Sequence, residues 1–145
     1  MPRILSNAQK KAVFVAIPAS VTIDATPITA SKIYPNQKSG YPYISINFAG
    51  DGIPYIEDVV DGVLYYQTIM TIHVMTRDAS GFNGARIAEE LSNEIISEIE
   101  SWTTPLTEDV RIFDPLTDIK SLQNDGFEDN TGVYDYILSI NLYHA

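Results

Sequence analysis

The chain contains no cysteine. Disulfides, thiolate metal sites and cysteine nucleophiles are therefore excluded. Histidine is nearly as scarce, with His73 and His144 only. His73 falls on the polar side of an alternating segment and His144 stands one residue from the last, so both read as structural or solvated side chains. No apolar run approaches the ~20 residues that a membrane helix needs. The six residues Ala12 to Ile17, behind Lys10 and Lys11, are shorter than the roughly 7–15 of a secretory h-region. They read as part of a first buried helix in a protein made in the cytoplasm. Basic residues are few, 9 against 19 acids, for a net charge of −10. Clustered Lys and Arg are what neutralise phosphates, so direct nucleic-acid binding is not expected. There is no serine-hydrolase elbow, phosphate-cradling loop or dinucleotide fingerprint, and no cofactor is expected.

The 145 residues suit one ordinary domain. Hydrophobic residues make up 45%, enough for a packed core and too many for a disordered chain. Charge is divided unevenly. Residues 1–50 carry Arg3, Lys10, Lys11, Lys32 and Lys38 against Asp24, a balance of +4, whereas residues 51–145 sum to −14. This split is what an acidic, solubilising face would give, and it also suits a basic region of one subunit meeting the acidic region of a neighbour.

Local signals sketch the elements. Ser6-Asn-Ala-Gln9 is a capping box, predicting a helix from Asn7 to Ile17 that Pro18 stops. Residues 20–35 read as two short extended pieces around a turn near Asp24 to Pro27. Tyr41 to Phe48 alternates, with Ile44, Ile46 and Phe48 on one side and Tyr43, Ser45 and Asn47 on the other. Val63 to Arg77 alternates for fifteen residues, roughly 50 Å of strand, well beyond the usual five or six residues. Its first part, Val63 to Gln67, is predicted to project with residues 49–62 as the arm of a long hairpin. Ile87, Leu91, Ile95 and Ile99 recur every fourth residue, predicting an amphipathic helix from Gly84 to Ser101 behind an Asn83 cap. Val110 to Phe113 and Leu116 to Leu122 read as extended pieces around Asp114-Pro115, and Val133 to Tyr143 as a last alternating strand. The sum is an α+β domain, spanning 1–145: a mainly antiparallel sheet with two helices packed on it and a long projecting hairpin.

Chemistry-bearing patterns are weak. Gly81-Phe-Asn-Gly84 offers backbone donors before a helix, and a tight strand-to-helix turn accounts for it. Aligning Gly126 with the sixth position of an EF-hand loop leaves Gly132 where the bidentate glutamate belongs. That motif fails, leaving at most a looser cation site shared with a neighbour. The glutamates of the long helix sit on its polar face. The segment from Gly50 to Gly62 is different, because it sets Ile53, Tyr55, Ile56, Val59 and Val60 between glycines and acids. Such a cluster folds back as a satellite core or serves binding. With Tyr65 and Gln67 on the hairpin, and Lys10, Lys11 and Lys38 from the basic region, it forms the candidate subunit or partner interface. No catalytic or metal-binding residue is assigned.

Lys32-Ile-Tyr-Pro35, Tyr41-Pro-Tyr-Ile44, Leu64-Tyr-Tyr-Gln-Thr-Ile-Met-Thr-Ile-His-Val74 and Ala85-Arg-Ile-Ala-Glu-Glu-Leu91, with the alternating last strand, resemble the tail-terminator (tail-completion) family of tailed phages and archaeal tailed viruses. The resemblance spans nearly the whole chain and rests on packing and turn signals. It implies a structural virion protein, not an enzyme. Such a subunit closes into a ring, commonly a hexamer, that caps the tail tube and meets the head-side connector. Its implied partners are further copies of itself, the tail tube protein and a head-completion or connector protein, in the neck of the virion, with no membrane involved. Two other readings stand beside it: another neck or connector protein, and a small-molecule-binding regulatory domain.

Overall fold

Helix capping sets the start of the fold. The computed structural model describes residues 4–35, 37, 39–60, 62–79, 83–124 and 132–145; at 50, 51, 53, 55–60 and 122–124 only the backbone is described. Helix α1 (Asn7–Ala16) opens on the expected reciprocal pair. The Gln9 N–H donates to Ser6 Oγ at 3.1 Å and the Ser6 N–H donates to Gln9 Oε1 at 2.9 Å. Its other end needs donors, because helix-terminal carbonyls are orphans and Pro18 supplies no N–H. Lys32 provides them: Nζ donates to the carbonyls of Phe14 (2.8 Å) and Ile17 (2.9 Å) and lies 3.4 Å from that of Val15. Partial burial lowers the Lys32 pKa, while carbonyl oxygens around the ammonium favour its charged form.

Residues 20–35 make three strands where two were expected. β1 (Ser20–Ile23) and β2 (Thr26–Thr29) form a small antiparallel hairpin. Its two-residue turn holds Asp24 at φ 50° and Ala25 at φ 64°, the positive values a tight hairpin requires. β3 (Ser31–Ile33) then joins the main sheet, lying parallel to the start of β4 (Tyr43–Val60). The sheet is therefore mixed, with one parallel pairing among antiparallel ones. β4 pairs antiparallel with β5 (Val63–Arg77), whose bounds are those predicted. β4 runs straight through the glycine- and acid-rich stretch after Phe48. Two irregularities absorb the extra residues, between Ala49 and Ile53 and between Tyr55 and Val59, as bulges do.

Helix α2 (Gly84–Glu100) starts from the Asn83 cap and buries Ile87, Ala88, Leu91, Ile95 and Ile99 against the sheet. A 3₁₀ turn (Ser101–Thr103) buries Trp102 and leads to β6 (Val110–Arg111). A third short helix, α3 (Pro115–Asp118), corrects the extended reading of residues 116–118 and the count of two helices. Asp114 caps it by accepting from the Leu116 N–H at 3.0 Å, with proline in its first turn. The Asp118 carboxylate, 4% exposed, accepts from the Phe113 and Asp114 N–H groups, both at 2.9 Å, and from the Tyr143 hydroxyl at 3.0 Å. β7 (Ile119–Asn124) and β8 (Val133–His144) complete the sheet, in the order β3-β4-β5-β8 with β6 and β7 both paired to β8.

Register sorts the side chains into two faces. Ile44, Ile46, Met70, Ile72, Val74, Leu138, Ile140 and Leu142 share the face beneath the helices and form one core with Val13, Ile17, Leu91, Ile95 and Ile99. At the strand-to-helix corner the Asp78 carboxylate accepts from the Gly84 N–H at 2.8 Å and from the Tyr134 hydroxyl at 3.2 Å.

Candidate subunit interface

The opposite face of the sheet carries another population. Tyr43, Ser45 and Asn47 of β4, Ile69, Thr71 and His73 of β5, and Asp135, Ile137 and Ser139 of β8 alternate with the core residues. Their side chains are half-buried or exposed, and Ile69 stands 43% exposed in mid-sheet. His73 and Asp135 pair on this face. His73 Nδ1 is 3.0 Å from Asp135 Oδ1 and 3.2 Å from Oδ2. The Asp135 hydrogen bond raises the His73 pKa above its ordinary 6.5, burial pulls it down, and the Asp135 charge adds to the rise. Towards the hairpin end an aromatic group closes the face. Phe113 lies 4.6 Å from Tyr143 and 5.3 Å, edge-on, from Tyr65 between ring centroids.

Both margins of the sheet are short of partners. β3 pairs only with Tyr43 to Ser45 of the eighteen-residue β4. From Ile46 onward the outer side of β4 pairs with no strand among the described residues. On the far side β7 is the outermost strand. Exposed edges like these are templates for another chain unless bulges, charges or proline blunt them. The bulges and Pro54 lie beyond Ala49; Ile46-Asn47-Phe48-Ala49 has no such device.

The residues expected at the interface divide into groups. Lys10 is half-buried and Lys11 exposed on α1. Ile53, Tyr55, Ile56, Val59 and Val60 lie on the hairpin backbone, where Ile53 pairs with Gln67, Tyr55 with Tyr65 and Val60 with Val63; their side chains lie outside the described residues, as does Lys38. Tyr65 is a correction. It is 5% exposed, packed on Phe113 with its hydroxyl 3.5 Å from Asp109, so the chain itself covers it. Gln67 is half-buried and held on both sides, by Ile53 and by Tyr143. The projecting part of β5 is thus Val63 to Tyr65, shorter than expected, because β8 reaches His144 and pairs with Tyr66. The acidic turn weighed as a cation site lies outside the described residues from Asp125 to Asn130.

Other exposed features were not anticipated. Leu116 is 91% exposed at the first turn of α3, beside β7, and Val15 is 66% exposed on α1. A periodicity argument finds neither, because one sits in a four-residue helix and the other within an apolar run. An apolar groove of about 560 Å³ lies between the β1–β2 hairpin and the start of α2, lined by Pro27, Ile28, Tyr41, Pro42, Arg77 and Ile87 among others. No protein-family model, curated protein or solved structure matches the chain.

Proposed function

We propose that this chain is a structural virion protein of the tail-terminator type, whose copies close into a hexameric ring that caps the tail tube and joins it to the head-side connector. One observation carries this reading: a sheet covered by helices on a single face whose margins, from Ile46 onward on β4 and along β7, pair with no further strand among the described residues. A head-to-tail ring needs two different surfaces on each subunit, and the two margins supply them. The bare face, with its Ser, Thr and Asn side chains and exposed Ile69, is suited to contact a tube or connector protein. The reading also draws on the resemblance of the hairpin and helix motifs to that family. It makes the protein a scaffold, not an enzyme.

Light scattering after size exclusion, together with negative-stain images, tests the proposal. Rings that bind purified tail tubes are the expected result. A chain that stays monomeric at high concentration and leaves tubes uncapped refutes it. The groove lined by Tyr41, Arg77 and Ile87 favours a second reading, a small-molecule-binding regulatory domain, since its volume falls within the range of ligand pockets. A rise of several degrees in melting temperature with one metabolite, in a chain that forms no ring, would select that alternative.

A further inference from the structure

We infer that neighbouring copies join edge to edge, the outer margin of β4 from Ile46 to Ala49 in one copy pairing antiparallel with β7 of the next, so that one sheet runs through the seam. This inference rests on the ring-forming reading and names the surface that forms it.

The strand directions support this pairing. Between the two free margins lie β4, β5, β8 and β7, each antiparallel to the one before. β4 and β7 therefore run in opposite directions. A second copy set alongside in the same orientation presents β7 antiparallel to β4, the ladder of perpendicular hydrogen bonds. Asn47, Thr71, Ser139 and Lys120 form one row across the sheet. A level seam would set Leu122 to Asn124 against Ser45 to Tyr43, which β3 already covers, so the incoming strand sits two residues towards the hairpin, with Lys120 opposite Ala49. Same-orientation copies keep their helices on the same side, so α2 of one meets α1 of the next.

Charge agrees with that contact. α1 carries Lys10 and Lys11 and no acid. Lys10 lies one turn before Phe14, which stacks 4.7 Å from Tyr34 just past β3, on the β4 side of the sheet. α2 carries five glutamates against Arg86, and Glu89 and Glu100 line the crevices between α2 and β7. The C-terminal end of the basic helix thus lies at one margin and the acidic stripe at the other, while the Lys11 side of α1 borders Leu106 to Glu108 of its own chain. Leu116, exposed beside β7, adds an apolar contact at the acidic margin.

The absence of cysteine allows a clean test in the full chain. Asn47→Cys with Lys120→Cys, and Ala49→Cys with Lys120→Cys, place thiols on the bare face for the level register and for one shifted towards the hairpin. Under mild oxidation the Ala49→Cys with Lys120→Cys variant should give a ladder of disulfide-linked oligomers ending at the ring size, while the level-register pair and each single variant give at most dimers. Hydrogen exchange gives a readout that depends on no introduced residue. Amides within 46–49 should exchange at least about tenfold more slowly in the oligomer than in the dilute monomer. Lys10→Glu with Lys11→Glu should weaken association about tenfold, and Glu89→Lys with Glu100→Lys should restore it. Rings that show neither cross-linking nor protection at 46–49 overturn the inference while leaving the ring reading intact. A chain monomeric at every concentration removes both.

Discussion

Replacing Lys32 by methionine isolates a single task, because the linear stem is kept and the ammonium is lost. In the folded chain that ammonium closes the C-terminal end of α1 through the carbonyls of Phe14 and Ile17, at 2.8 and 2.9 Å. It also lies 5.3 Å from the centre of the Phe14 ring. A hydrogen bond to a charged group contributes about 1.5–3 kcal/mol, and leaving a buried partner unsatisfied costs about 1–3 kcal/mol. Lys32 is only partly buried, so water recovers some of the loss. The expected cost is about 2 kcal/mol, a fall in melting temperature of roughly 4–8 °C for a domain near this size. Urea denaturation at pH 7 should show a lower midpoint with an unchanged slope, since the surface exposed on unfolding is the same. Hydrogen exchange should place the loosening in the last turn of α1. A Lys32→Met variant within about 0.5 kcal/mol of the parent, with α1 amides equally protected, would refute the capping role. It would also leave the Lys-Ile-Tyr-Pro segment without a structural explanation.

Four further outcomes are expected. Gly84→Ala should cost about 3 kcal/mol, because the added methyl would lie 2.7 Å from the Arg77 carbonyl carbon and 2.9 Å from the Asp78 nitrogen, backbone atoms that cannot step aside; a thermal melt decides it. Ala25→Gly should stabilise by about 0.5–1 kcal/mol, since alanine at φ 64° is in the left-handed region and glycine is not penalised there; a lower urea midpoint would contradict it. Asp118→Ala should cost about 3 kcal/mol by stranding two backbone donors and the Tyr143 hydroxyl, with equilibrium unfolding as the measure. The raised His73 pKa means that its pairing with Asp135 stabilises fully below the unfolded value of about 6.5 and is lost as pH rises through the folded value. Urea midpoints from about pH 5.5 to 8.5 should show that decline in the parent and lose it in Asp135→Asn.

Much of this architecture was legible in the residues. β5 keeps the predicted bounds because fifteen residues alternate with only Thr68 out of pattern, so nothing competes with a strand. The capping box and the four-residue apolar repeat set the starts of α1 and α2. Failures came where a distant segment decides. β4 continues through Gly50 and Gly52 because β5 offers a ladder and bulges take up the surplus; locally those residues read as a loop. α3 was missed although Asp114-Pro115 is a helix-start signal, because the apolar residues after it suggested an extended piece. The β3 pairing is beyond local reasoning, since three residues with no pattern find their partner across a loop. At the candidate interface the basic helix was legible. The burial of Tyr65 depends on Phe113, 48 positions away, and the open margins depend on which strands end up outermost.

β3 is only three residues long, and its brevity gives it a role beyond extending the sheet. It covers Tyr43 to Ser45 and stops, leaving the next part of the same margin open. In the proposed seam an incoming strand would be free to slide towards the hairpin, yet would meet β3 on sliding past Ile46 the other way. Slippage by two residues, which preserves every side chain's face and is the error a repetitive ladder invites, is thus barred in one direction. In the edge-to-edge seam proposed above, the short strand would act as a mechanical stop that sets the height of each subunit against the next.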